Sequence, residues 1–203
     1  MSTARSLCVI GAALLLGAAR LDAAPQAAAS PLVDSARSGN RQAALELLQS
    51  GRDANEAAND GTTALAWAAH HDDVALAKQL LAAGADPSAA NDYGATPMAE
   101  AAVVGNPAML ELLLAAGADA NSPNADGQTA LMVVARTSNV AAADLLLRRG
   151  ADVNAREQRK GQSALMWAVA QSQPKMVELL LAHGAEANAR STVNHWDRMV
   201  TAE

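Results

Sequence analysis

A regular internal repeat constrains this 203-residue chain more than any other feature of its sequence. A Gly-Ala pair recurs at Gly84, Gly117, Gly150 and Gly184, so that the spacings are 33, 33 and 34. A second series of glycines keeps the same spacings, at Gly61, Gly94, Gly127 and Gly161. Both series gain their extra residue between Gly150 and Gly161. This regularity predicts a stack of similar units, each of which buries its apolar surface against its neighbours.

Each repeat is expected to contain two helices. The second glycine series opens a Gly-x-Thr-x-Leu segment, and its Thr or Ser hydroxyl should accept a hydrogen bond from the first turn of a short helix. The residues at this position are Thr63, Thr96, Thr129 and Ser163. A leucine-rich second helix then ends at the Gly-Ala pair, where glycine can adopt the left-handed conformation. The chain is 51% hydrophobic but has no Phe, which favours an all-α core of Ala, Leu, Val and Met.

These segments resemble the ankyrin repeat, whose hallmarks are Gly-x-Thr-Pro-Leu-His-x-Ala-Ala and Leu-Leu-x-x-Gly-Ala-x-x-Asn. The best matches are GATPM at 94–98 and LLLAAGADAN at 112–121. The resemblance covers residues 31–188 and implies an all-α solenoid of stacked helix-turn-helix units with short turn tips. About five repeats are expected, at 31–55, 56–88, 89–121, 122–154 and 155–188. The first lacks the Thr-Pro-Leu segment, as a capping repeat allows.

The chain departs from the family pattern at one position of every repeat. The histidine that follows Thr-Pro-Leu in the family is replaced here by Ala66, Ala99, Met132 and Met166. We therefore expect apolar packing at this position instead of a hydrogen bond. Trp67 and Trp167 follow it in two of the repeats. Either tryptophan could be a binding anchor, but filling of space between neighbouring helices is the favoured interpretation.

Residues 1–23 have the pattern of a secretory signal peptide. Arg5 supplies a positive charge, and a run of 13 apolar residues extends from Leu7 to Ala19. This run is shorter than the roughly 20 residues that span a bilayer, and Ala23 provides a small residue for cleavage. We expect cleavage after Ala23 and an exported bacterial protein, periplasmic or secreted. The less favoured alternative is an uncleaved N-terminal anchor.

The segments that flank the repeats are expected to differ from them. Residues 24–30 (APQAAAS) should form a flexible tether. Residues 189–203 contain no turn glycine near Asn194 and no further helix pair. Either this tail folds back as a cap on the fifth repeat, or the sequence is the front part of a longer protein. The second alternative is favoured.

Composition and motifs argue against several functions. A net charge of −6 without basic clusters disfavours nucleic acid and, after signal cleavage, a membrane as partner. Cys8 lies within the signal peptide, so the mature chain has no cysteine chemistry. The His70-His71-Asp72-Asp73 run is expected to be a solvated tip and not a metal site. With no catalytic motif, we predict no enzyme activity, no catalytic residues, no metal and no cofactor.

The ankyrin resemblance implies a protein or peptide as partner, bound on a concave face made of turn tips and first helices. The residues expected there vary between repeats: Asn59, Asp60, Thr62, His70, His71, Asp92, Tyr93, Ala95, Val103, Val104, Ala125, Asp126, Gln128, Arg136, Thr137, Arg159, Lys160, Gln162 and Gln171. Tyr93 is the best single anchor. Charge is expected to run from acidic (Asp60, Asp92, Asp126) to basic (Arg159, Lys160).

The primary interpretation is therefore a protein-interaction scaffold that acts in the periplasm or outside the cell. One alternative makes the chain the targeting part of a longer protein whose activity lies beyond Glu203. Another makes it a structural component of an envelope assembly. Since repeat folds are reused for unrelated partners, the fold does not identify the partner.

Overall fold

The computed structural model describes residues 30–192 and contains ten α-helices in this range, arranged as five consecutive pairs. The pairs are α1 (Pro31–Arg37) with α2 (Arg41–Gln49), α3 (Ala64–His70) with α4 (Val74–Ala82), α5 (Pro97–Val104) with α6 (Pro107–Ala115), α7 (Ala130–Arg136) with α8 (Val140–Arg148), and α9 (Ala164–Ala170) with α10 (Pro174–Ala182). The predicted signal peptide, most of the predicted tether and residues 193–203 of the tail lie outside the described residues.

The helix pairs stack side by side. The first helix of each pair packs against the first helix of the next, and the second helices form a parallel row of contacts. Within residues 30–192 the only β-pairing is an isolated bridge between Ala57 and Thr63. The predicted all-α repeat solenoid is therefore confirmed.

The core runs along the whole stack between the two rows of helices. Its largest members are leucines and methionines at repeated positions, such as Leu65, Met98 and Leu131 on the first helices. Buried alanines such as Ala68 and Ala101 lie beside them and let neighbouring first helices approach closely. The core thus uses the residue types that the composition predicted. Met132, at the family's histidine position, is 1% exposed, which agrees with the expected apolar packing there.

The predicted hydroxyl caps form in two of the four repeats. Thr63 accepts from the N–H of Ala66 at 3.3 Å, and Thr96 accepts from that of Ala99 at 3.2 Å. The prediction is wrong for Thr129 and Ser163, whose side chains cap neither α7 nor α9. The Thr129 hydroxyl is buried without a hydrogen-bond partner in the described part of the chain. Burial of the first helix, and not its cap, must therefore hold α7 in place.

Second helices begin at capping residues that the sequence analysis did not single out. Their side chains each accept from an N–H in the first turn, and they are Asn40, Asp73, Asn106 and Asn139. At the other end, the predicted left-handed glycines are confirmed, with φ between 87° and 99° at Gly84, Gly117, Gly150 and Gly184. Local chemistry therefore sets the start of four second helices and the glycine-terminated ends. The exception is the start of α10, where Gln173 makes no side-chain cap hydrogen bond.

Neighbouring loop tips pack closely against one another, and this places the exposed residues of successive repeats side by side. The N–H of Asp92 donates to the carbonyl of Asp60 at 2.8 Å, and the N–H of Thr192 donates to that of Lys160 at 2.7 Å. A Cβ on Gly127 would lie 2.9 Å from the backbone nitrogen of Gln158, so this glycine allows the close approach.

Candidate functional site

The tip surface consists of the loop tips that carry Gly61, Gly94, Gly127 and Gly161, together with the exposed side chains of the first helices. Every residue predicted for the concave face is exposed or half-buried except Thr62. The prediction of Thr62 as an exposed contact is wrong, because its side chain is 9% exposed and its hydroxyl already accepts from Asn91. Tyr93 is 69% exposed, and Val103 and Val104 are 59% and 45% exposed. These side chains are available to a partner, and their binding of a partner stays a prediction.

An acidic cavity lies on this surface between the second and third repeats. It encloses about 260 Å³. Four predicted residues contribute to its lining, namely Asp60, Thr62, His70 and Ala95. The remaining lining comes from residues that were not predicted for the concave face: Ala66, Trp67, Asn91 and Glu100. Two carboxylates and a large aromatic side chain thus share one small concavity.

A group of aromatic side chains forms one wall of the acidic cavity. The His70 ring lies edge-on to Trp67, with centroids 5.5 Å apart, and His71 stacks on Trp67 at 5.9 Å. His70 Nδ1 lies 2.9 Å from Glu100 Oε2, and His71 Nε2 lies 2.9 Å from the carbonyl oxygen of Arg37. Each histidine therefore has a protein partner, and the pair holds Trp67 and Glu100 in fixed positions.

The opposite wall of the acidic cavity is held by hydrogen bonds between two tips. Asp60 Oδ1 accepts from the N–H of Thr62 at 3.0 Å, and the Thr62 hydroxyl accepts from Asn91 Nδ2 at 3.1 Å. Asn91 Oδ1 accepts in turn from the N–H groups of Tyr93 and Ala95. The hydrogen bonds from Thr62 lower the pKa of Asp60, so this carboxylate remains charged at neutral pH.

A second concavity lies further along the tip surface and has a different character. It encloses about 290 Å³ and is lined by Val103, Val133, Arg136, Thr137 and Gln171. All of these residues except Val133 were predicted for the concave face. The guanidinium of Arg136 lies 5.0 Å from the ring centroid of Trp167, which is cation–π geometry. This concavity is apolar and basic, whereas the first is aromatic and acidic.

The tip of the fifth repeat is built around Glu157, which the sequence analysis did not identify. This side chain is 5% exposed, and its carboxylate accepts from the N–H groups of Arg159, Lys160 and Gln162 at 2.6, 2.7 and 3.0 Å. The hydrogen bond from Gln162 is the largest cause of its lowered pKa, and burial opposes the shift. The shorter Asn91 performs this task in the third repeat, so the longer Glu157 accommodates the extra residue of the fifth repeat.

The predicted change of charge along the tips is modified by an ion pair. Arg159 lies 2.8 Å from Asp126, and both side chains are largely exposed. The last acidic tip residue and the first basic one therefore partly neutralise each other. Negative charge on the tip surface is left with Asp60, Asp92 and Glu100.

Comparison with known families decides which family these repeats represent. A family model described as ankyrin repeats, in three copies, matches residues 32–124 and 100–191. The chain belongs to the ankyrin-repeat family. A search of curated proteins found no match. Ankyrin repeats are generally modules for protein–protein interaction and generally have no enzymatic activity.

The two tryptophans of these ankyrin repeats combine the two roles that the sequence left open. Both are half-buried and pack against the core. Trp67 also lines the acidic cavity, and Trp167 lies under Arg136. A signal for Glu100 was available in the sequence, because it stands one repeat after Trp67 at the equivalent position. Recognising it required knowing that this position borders the tip surface.

The histidines of the tip surface belong to no cluster of candidate metal ligands: residues 30–192 contain no group of three or more His, Cys, Asp or Glu side chains placed to hold a metal ion. His70 and His71 are exposed, as expected for a tip. None of the helices described is both long and apolar enough to cross a membrane.

Proposed function

We propose that this chain is an exported protein-binding module that acts in the periplasm or outside the cell. Its tip surface, which corresponds to the concave binding face of ankyrin repeats, would bind a protein or peptide. One contrast supports the binding role. The buried positions repeat from unit to unit, whereas most exposed tip residues differ between units; the exceptions are Asp60 with Asp126 and Gln128 with Gln162. The signal-peptide pattern of residues 1–23 supports export.

Tyr93 is the residue on which this proposal depends most. Its side chain is 69% exposed, and its backbone N–H donates to Asn91, a residue that lines the acidic cavity. An exposed tyrosine offers a partner both an apolar ring and a hydroxyl group at small entropic cost, and such residues are common at the centres of interfaces. No packing role explains so exposed a ring.

A capture experiment tests the proposal. The purified protein is used as bait in an extract of exported proteins, beside a variant carrying Tyr93→Ala and Asp92→Lys. A matched control carries Gln49→Ala and Glu46→Lys on α2, where both residues are exposed on a second helix. The proposal predicts a protein that is captured by the wild type and the control and lost with the tip variant.

Two results would contradict the proposal. One is a partner that is retained by the tip variant and lost with the control, because binding would then use the second helices. The other is the absence of any captured protein when circular dichroism shows a folded helical chain.

A further inference from the structure

Trp67 and Trp167 occupy equivalent positions, yet only one of them has an arginine over its ring. Arg136 lies 5.0 Å from the Trp167 centroid. The residue equivalent to Arg136 near Trp67 is Arg37, because residues 31–37 of α1 align with residues 130–136 of α7. Arg37 instead pairs with Asp34 at 2.6 Å.

The difference is explained by the residue three positions earlier. Asp34 is on the same face of α1 as Arg37, one turn away, and binds its guanidinium. The equivalent residue in α7 is Val133, which offers no charge. Arg136 is therefore available to Trp167, whereas Arg37 is held at Asp34.

The acidic cavity beside Trp67 has the chemistry that a guanidinium requires. The Trp67 ring provides an aromatic surface, and Glu100 and Asp60 provide two carboxylates. His70 is the only residue described that hydrogen-bonds to the Glu100 carboxylate, through Oε2. The methyl groups of Ala66 and Ala95 complete an apolar lining against which an aliphatic stem can lie.

We propose that the acidic cavity binds an arginine side chain of the partner, with its guanidinium on the Trp67 ring and its charge paired with Glu100 and Asp60. The inference rests on the proposed function, since it names the side chain that the tip surface recognises. Arginine fits better than lysine because its planar guanidinium can stack on the indole while it donates hydrogen bonds to carboxylates. The volume of about 260 Å³ is large enough for one long side chain.

The fifth repeat shows that this chain can hold such a contact. There the arginine is supplied by the preceding repeat of the same molecule, and the Trp167 position is already filled. At Trp67 the corresponding contact is left for a residue from outside. The charge of the acidic cavity agrees with an arginine as the bound side chain, since the carboxylates of Asp60 and Glu100 both attract a cation.

The test is an NMR titration of the ¹⁵N-labelled protein with N-acetyl-arginine methylamide. The Trp67 indole N–H signal is identified by its loss in Trp67→Phe. We expect this signal to shift with saturation, and the neutral citrulline derivative to bind at least about fivefold more weakly, as loss of a cation–π contact and an ion pair implies. Glu100→Gln and Asp60→Asn should each weaken binding by about threefold.

Asp92→Asn is the matched control, because it removes the same charge from the tip surface outside the cavity. It should leave the affinity within about 1.5-fold of the wild type. Three results would overturn the inference: no saturable shift at Trp67, equal binding of the citrulline derivative, or equal weakening by Asp92→Asn and Glu100→Gln. A partner captured through Tyr93 without any arginine shift would leave the proposed function standing and reject this inference. An arginine shift without a captured partner would support the inference and count against the proposed function.

Discussion

The surroundings of Trp67 and Trp167 show how one repeat fold can produce two different surfaces. Each tryptophan follows the same helix-opening segment and packs on the same core. At Trp167 an arginine of the chain covers the ring, whereas at Trp67 the ring borders a cavity with Asp60 and Glu100. The buried positions determine the stack, and one difference at equivalent positions, exposed Asp34 in α1 against buried Val133 in α7, changes what the surface can bind.

The largest expected effect concerns the stability that each tryptophan provides. The first helix α3 contacts α1 on one side and α5 on the other, and Trp67 also contacts two histidine rings. Trp67→Ala should therefore lower the free energy of unfolding by about 2–3 kcal/mol, less than for a fully buried tryptophan. Trp167→Ala should cost about 1–2 kcal/mol, since α9 contacts only one other first helix in the described part of the chain. Urea unfolding measures both values, and an equal or greater cost at Trp167 would break the comparison.

The next effect separates the tips beside the two tryptophans. Glu157→Gln removes the charge that organises the fifth-repeat tip and should lower the free energy of unfolding by about 1–2 kcal/mol at pH 7. Asn124→Asp, its matched control in the fourth repeat, keeps the side-chain oxygen that accepts from the N–H groups of Asp126 and Gln128 and should change stability by less than about 0.5 kcal/mol. Chemical denaturation at pH 7 measures both changes. If Glu157→Gln does not lower the free energy of unfolding by more than the control variant does, the role given to Glu157 is wrong.

The pH dependence of the Glu157 contribution follows from the direction of its pKa. Hydrogen bonds from backbone N–H groups lower the folded-state pKa below the usual value of 4.5. The ionised carboxylate therefore stabilises the fold above pH 4.5, and this contribution is lost as the pH falls through the folded-state pKa. Stability curves of wild type and Glu157→Gln should converge on acidification. A difference that persists unchanged to the lowest pH would contradict the assignment.

The smallest expected effect comes from changing what covers the two rings. Asp34→Val should release Arg37 to lie over Trp67 and weaken binding of N-acetyl-arginine methylamide by about two- to fivefold, the equivalent of about 0.5–1 kcal/mol. Arg136→Ala should uncover Trp167 and make that ring responsive to the same probe, without placing a charge at the buried Val133. NMR titration of the two indole signals checks both variants. If neither variant changes the response of its tryptophan, the positions of Arg37 and Arg136 do not control the two rings.

The sequence predicted the stack well because its determinants are local and repeated. Gly84 and its equivalents end second helices, and buried leucines recur from repeat to repeat, so a single chain contains several copies of the same signal. The Thr129 and Ser163 caps were predicted wrongly, since a hydroxyl at the right position does not ensure the side-chain orientation that capping requires.

The candidate site was predicted less completely, because it forms between repeats. Glu100 meets His70 of the preceding repeat, and Arg159 likewise meets Asp126. Such contacts depend on side-chain direction in two adjacent units, which the period alone does not specify. The tip residues predicted from the resemblance include Asp60 and His70 but omit Trp67. This side chain packs against the core and also lines the acidic cavity.

The most direct test of the account is a fluorescence titration with an arginine-containing peptide selected by display against the wild-type protein. The peptide is titrated into wild type, Trp67→Leu and Trp167→Leu, which keep apolar side chains at both positions. The account predicts a loss of affinity of at least about tenfold for Trp67→Leu and less than about twofold for Trp167→Leu, because Arg136 already occupies that ring. Equal losses, or a larger loss at Trp167, would contradict the claim that the two equivalent tryptophans serve different surfaces.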